Sequence, residues 1–235
     1  MAIQQFDQLN SLSKKWYSKM EVPQNAKDRR VKLSMEFTEI VILFFDLIIA
    51  TEMLREQQIA WLEERLNVVA SNHLGVENLA YINDWSKKEA ENIVDTTIKH
   101  KDDQQEFDIA PNEAGGIDAK PKTYDFEEFD VSIPQKEYWT SDIRGLLIGI
   151  ECASAIENYY ELYDALNKGM TNKVWKSEGD DRVRKTHTVA DGDDIPVTDL
   201  FLVGNSYLLF PGDATHGAEE KELYNCRCHC EYYKK

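Results

Sequence analysis

Long apolar runs are missing from this sequence. The most apolar window, Ile40 to Ala50, is interrupted by Asp46 and bounded by Glu39 and Glu52. It falls short of the ~20 apolar residues that a bilayer crossing needs, so a buried helix is expected there and no membrane is implied. An excess of positive charge is missing too. Lysine and arginine number 27 against 43 aspartates and glutamates, a net charge of -16. Phosphate neutralisation needs clustered cations in excess, which excludes duplex binding as the main activity. Met1-Ala2-Ile3-Gln4-Gln5 has neither the charged leader nor the apolar core of a secretory signal, and synthesis and retention in a reducing cytoplasm are expected. Cysteine is scarce, at four residues. In a reducing compartment these are thiols or metal ligands rather than a disulfide framework. Cys152, alone in a helical pattern, reads as a small buried apolar residue. No H-E-x-x-H pair, phosphate-cradling glycine loop or internal repeat is present.

What is present is helical language first. Phe6 to Met20 is one candidate helix, and Pro23 and Asn25 punctuate the chain after it. A second pattern runs from about Asp28 to Val69. Its first half is apolar on more than one stripe, through Leu33, Phe37, Ile40, Val41, Phe44, Phe45, Leu47, Ile48 and Ile49, as in helices buried between neighbours. Its second half is amphipathic. Its length predicts a break near Ile49 to Glu52. Gly75 ends this stretch, and Val76 to His100 predicts another helix. From 101 to 135 acids such as Asp108, Asp125 and Glu128 outnumber Lys101, Lys120 and Lys122, while Pro111, Gly115-Gly116, Pro121 and Pro134 break any period. This is a long acidic linker or an arm that orders on a partner, with a short extended piece around Tyr124 to Val131. Helix returns from Thr140 and is closed by Gly169. Beyond it lie short apolar alternations between turns such as Gly204-Asn205 and Pro211-Gly212-Asp213. The expected fold is α+β: a helical body (1–100), the acidic segment (101–135), a joining helix (136–170) and a small α+β or β-rich cap (171–235).

The cap carries the candidate chemistry. Three of the four cysteines fall in Cys226-Arg227-Cys228-His229-Cys230. In an extended segment alternate side chains share a face, which puts the three thiols on one side and Arg227 and His229 on the other. With His187 upstream, these thiols offer the soft donors of a tetrahedral zinc site. The candidate set is His187, Cys226 and Cys228, completed by Cys230, His229 or a carboxylate such as Asp191; packed, reduced thiols without metal are the alternative. A hydrolytic site can be drawn from His187, Asp191, Asp213 and Glu222. A cysteine nucleophile at Cys226 or Cys228, activated by Arg227 and His229, is a further option. The basic residues Lys173, Lys176, Arg182, Arg184 and Lys185 form either an ion-paired face or an anion site.

The order and spacing of Trp175, Asp181-Arg182-Val183-Arg184, His187, Gly192, Pro211-Gly212-Asp213, Glu222 and Asn225-Cys226-Arg227-Cys228 resemble the C-terminal domain of tailed-bacteriophage minor head proteins. This is the head-morphogenesis family typified by protein F of phage Mu. The resemblance runs from about Glu151 to the end; Gly149-Ile150-Glu151 keeps only the glutamate of an Arg-Thr-Glu triplet found in the family. It implies a structural virion protein made in the bacterial cytoplasm and carried in the phage head at the portal vertex. Its partners would be the portal protein or the major capsid protein, with limited contact to packaged DNA. Relatives with cysteines at the positions of Arg184 and His187 imply that these positions meet Cys226 and Cys228 in space, around a structural zinc. The alternative is a metal-dependent nuclease or toxin-like enzyme built on the same cap.

Overall fold

In a computed structural model, residues 3–76, 79–101, 103, 106–111 and 117–235 are described. Glu113 and Gly115-Gly116 of the acidic segment lie outside them. The body is built from α1 (Ile3–Ser18), α2 (Gln24–Ala50), α3 (Arg55–Leu74) and α4 (Ala80–Lys101), together with α6 (Asp142–Asn167) after the four-residue α5 (Gln135–Tyr138). The expected break in the long helical pattern falls at 51–54, between α2 and α3. Gly75 closes α3 in the left-handed conformation, φ +66, as a C-terminal glycine does.

α2 and α6 are the most apolar helices and bury most of their faces against neighbours, although α2 keeps an exposed edge at Glu39, Leu43 and Asp46. They cross in close contact, and Gly149 is the reason. A Cβ there would lie 2.5 Å from the Ser34 carbonyl oxygen, so only glycine permits the approach. Around this pair Phe37, Phe44, Leu62, Leu66 and Trp85 are all but fully buried. Each such side chain contributes roughly 1.5–3 kcal/mol by leaving water. A second core joins α1 to α6 through Trp16, Tyr17, Phe129 and Leu146.

The acidic segment differs from the expected linker. It holds two antiparallel hairpins, β1 (Phe107–Pro111) with β2 (Ile117–Pro121) and β3 (Thr123–Phe126) with β4 (Val131–Pro134). The second is packed down by Phe129 and Ile133 and by Glu128, which accepts from Lys19 at 2.7 Å and also pairs with Arg182. Ring contacts and ion pairs give it the anchorage that its polar composition hides.

The cap begins at β5 (Asn172–Lys176), the central strand of an antiparallel sheet ordered β6-β5-β9, with β6 at Asp194–Pro196 and β9 at His229–Tyr233. Between these strands come α7 (Lys185–Ala190), the hairpin β7 (Phe201–Val203) and β8 (Ser206–Leu208), and α8 (Glu220–Leu223). Trp175, Phe201, Val203 and Phe210 form its core, closed on one side by Leu162 of α6. Asn158 on α6 also crosses the junction: its side chain accepts from Arg30 at 2.9 Å and donates to the carbonyls of Pro211 at 2.7 Å and Cys228 at 3.3 Å. The fold is thus α+β, a helical body with a strand-rich C-terminal cap. Among the described residues no helix is long and apolar enough to cross a membrane.

Candidate metal centre

Two short pieces of the cap meet over Trp175. Arg184 precedes α7 with an extended backbone, and its guanidinium donates to the Tyr224 carbonyl, tying the start of α7 to the loop after α8. His187, within α7, is buried with its ring edge-on to Trp175, centroids 5.5 Å apart at 88°. After α8, Asn225 takes φ 53, a left-handed conformation that asparagine tolerates better than most residues. Cys226 and Cys228 follow as alternate positions and both present their sulfurs to His187. Arg227 between them pairs with the Asp180 carboxylate at 2.7 and 2.8 Å, which pins this loop from its other side.

His187 Nδ1 is 3.4 Å from Cys228 Sγ and 3.5 Å from Cys226 Sγ. The three donor atoms all lie within 4.8 Å of one another. With metal–sulfur and metal–nitrogen bonds of ~2.3 and ~2.05 Å, a tetrahedral zinc would require a nitrogen–sulfur edge of about 3.6 Å. The residues present fit such an ion. The Cys228 N–H also points at Cys226 Sγ, at 3.4 Å. On the far side of the ring Nε2 lies 3.2 Å from Glu222 Oε2, within ion-pair range though out of line for a hydrogen bond. Thr186 donates to the same oxygen at 2.7 Å and holds it there. A carboxylate behind a ligating histidine fixes ring orientation and raises donor strength.

Protonation follows from this packing. The hydrogen bond from Cys228 holds the Cys226 thiol well below its ordinary pKa; burial opposes this and His187 adds to it. The same hydrogen bond, then burial, raises Cys228. Burial would lower His187, but its hydrogen bond to Cys226 and that sulfur's charge outweigh it and the pKa is raised. The shift favours the thiolate form of Cys226, and the thiolate is the ligating form. A small cavity of about 20 Å³ adjoins the trio, lined by Glu178, Arg184 and Asn225 among others, room for roughly one water. The group can bind a metal through three protein atoms.

The fourth ligand expected from the sequence is not supplied. Strand geometry begins only at His229, so the alternation that unites Cys226 and Cys228 does not extend to Cys230. Cys230 sits opposite Trp175 in the β5–β9 register, and burial pushes its thiol up to about 12. Burial lowers His229 to about 4, and its Nδ1 lies 3.9 Å from Glu178. Asp191 accepts from the Ser177 N–H at 2.7 Å. Arg184 and His187 do meet Cys226 and Cys228 around one small cavity.

The hydrolytic constellation does not assemble either. Asp213, fully buried, accepts from the Leu209 and Thr215 N–H groups at 2.9 Å and from His216 at 2.6 Å, bracing the turn of Pro211 and Gly212. The expected activators of a cysteine nucleophile are also elsewhere, Arg227 on Asp180 and His229 beside Glu178; the low Cys226 pKa comes from Cys228 and His187. The basic stretch is largely spent internally. Lys173 is buried and donates to the Leu209 carbonyl at 2.6 Å, Lys176 pairs with Glu231 at 3.4 Å, and Arg182 pairs with Glu128. Asp181 is exposed. Gly192 turns the chain after α7, its N–H donating to the Trp175 carbonyl at 2.9 Å. Glu151 lies on α6 facing α4 and the cap; the charges of Arg184 and Cys226 reach it, but it is not one of the ligand trio.

Glu222 as the carboxylate behind His187, Thr186 as its holder and Asn158 as the link to the body were not legible in the sequence. Thr186 and Glu222 are 36 residues apart and Asn158 and Cys228 are 70 apart, and no local spacing announces either contact. No family model, curated protein or solved structure matches this chain.

Proposed function

We propose that this protein is a structural minor head protein of a tailed phage, located in the phage head at the portal vertex, and that it acts by binding the portal or the inner capsid during assembly. One observation supports this reading: the residues that resemble the head-morphogenesis motif act as structural braces within the cap. Arg184 holds a carbonyl, Asp213 a turn, Arg227 a loop, and Trp175 the floor of the trio. Such a set builds a scaffold for attachment. His187, Cys226 and Cys228 would hold a structural zinc that fastens α7 to the tail, with water or a carboxylate as the remaining ligand. The N-terminal helices and the acidic hairpins are the attachment elements. The chain as a whole carries a net charge of -16, which suits a basic surface of another head protein and confines contact with packaged DNA to small patches.

Co-expression with the portal and major capsid proteins of the encoding phage tests the proposal. The chain is expected to sediment with assembled heads and to crosslink to the portal. Its absence from heads, combined with metal-dependent DNA or RNA cleavage by the purified protein that His187→Ala abolishes, would replace the assembly role with the nuclease alternative.

A further inference from the structure

A cleft of about 380 Å³ lies where α4, α5, α6 and the cap come together. Three carboxylates line it: Glu89 from α4, Glu151 from α6 and Glu220 from α8. Glu89 is 7% exposed and, among the described residues, forms neither a hydrogen bond nor an ion pair. An unpartnered buried carboxylate costs several kcal/mol unless it is neutralised or paired, so its position at a cavity wall calls for a counter-charge from outside the chain.

The cations nearby do not pair with Glu89, and Arg184, whose charge acts on Glu151, donates to the Tyr224 carbonyl. Arg144 reaches the same cleft, but its guanidinium donates to Thr97 Oγ1 at 2.7 Å, Thr96 Oγ1 at 2.9 Å and the Trp139 carbonyl at 2.6 Å, lying over the Phe45 and Trp139 rings. Lys99 stands exposed at the rim. His100 is committed to Asp103 at 2.7 Å and stacks on Trp139 with centroids 3.9 Å apart. The rest of the lining is largely apolar, with the rings of Tyr138, Trp139 and Tyr224 beside Ile93, Leu147 and Ile148. Burial and then the charge of Glu220 push Glu89 up to about 7. Burial and then Glu89 likewise raise Glu151.

We propose that this cleft is a binding site for a compact alkylammonium cation, whose ammonium group sits between Glu89 and Glu151 while its hydrocarbon lies on the aromatic walls. The acids lie too far apart to form a metal-ligand group, and an ammonium with three donors spans such a gap where a bare metal ion does not. Aromatic faces add attraction for an organic cation. Glu220 at the rim suits a second ammonium, so a short diamine satisfies all three acids. The same chemistry is offered by a free amine or by the lysine side chain of a bound protein.

Calorimetric titration of the full chain with 1,4-diaminobutane and, separately, with N-acetyl-lysine methylamide tests the site. At least one cation is expected to bind saturably with a stoichiometry of one, and Glu89→Gln and Glu151→Gln should each weaken it about tenfold or more. A control at exposed Glu64, Glu64→Gln, should leave the affinity within about twofold. Tighter binding of the diamine assigns a free ligand, and tighter binding of the lysine amide assigns a protein side chain; either supports the site. Circular dichroism checks that both variants fold, and the Trp139 indole resonance, followed by NMR, should shift on titration of the parent. Absence of saturable binding by both cations, or affinities equal across parent, Glu89→Gln and Glu64→Gln, overturns the proposal, since the latter is nonspecific attraction to an acidic protein.

Discussion

The body and the cap are held together by different means. The body relies on area: α2 and α6 are in close contact at Gly149, and large rings such as Phe37, Phe44 and Trp85 fill the space around them. The cap has strands as short as three residues and a small core, and its shape is fixed by individual polar bonds from Asp213, Glu222, Arg227 and Arg184. A region this small buries too little apolar surface to be stable on packing alone. Polar braces and a metal site are the available substitutes, and they make the cap sensitive to single atoms where the body responds to volume.

Breaking the metal trio gives the largest expected difference. Protein purified without chelator should carry about one zinc per chain by elemental analysis. Chelation, or Cys228→Ser, should then destabilise the cap by several kcal/mol while the helical signal in far-UV circular dichroism persists. A loss of only ~1 to 2 kcal/mol, with no zinc found, would mean packed thiols. On the body side, Phe44→Ala should cost ~3–5 kcal/mol by leaving a cavity, measured by urea unfolding, with the cap's metal content unchanged. A parallel loss of metal would show that the two regions do not differ as described.

Asp213→Ala should destabilise by about 3 kcal/mol, because it strands several buried donors at once, and the loss should appear in the near-UV signal of the cap's aromatic residues. The smallest effect concerns pH. Glu89 has its pKa raised from 4.5 to about 7. A carboxyl raised on folding favours the folded state fully below the unfolded value, and that contribution is lost as pH climbs through the folded one. Between pH ~4.5 and ~7 stability should fall by on the order of 2 to 3 kcal/mol from this group, and Glu89→Gln should flatten the decline. An identical pH profile for both proteins would place the sensitivity elsewhere.

The sequence made some of this visible and hid the rest for identifiable reasons. The helices were legible because apolar positions recur at helical spacing through Leu33, Phe37, Val41 and Phe44, and because Gly75 and Gly169 stop them at φ +66. The β3–β4 hairpin showed only as a short extended piece around Tyr124 to Val131, since its anchors Phe129 and Glu128 act through Trp16 and Lys19, more than a hundred residues away. His187, Cys226 and Cys228 could be paired from residue type alone. Cys230 was grouped with them by assuming an extended tail throughout, but β9 starts only at His229, pairs Cys230 with Trp175 and leaves it outside the ligand group.

Asn158 has a mechanical consequence. One side-chain amide accepts from a buried arginine of α2 and donates to two carbonyls of the cap, one of them on Cys228 itself. Sliding α2 along α6 would pull on the backbone of a ligand residue, so a load applied to the N-terminal helices is transmitted to the sulfurs instead of being absorbed at a joint.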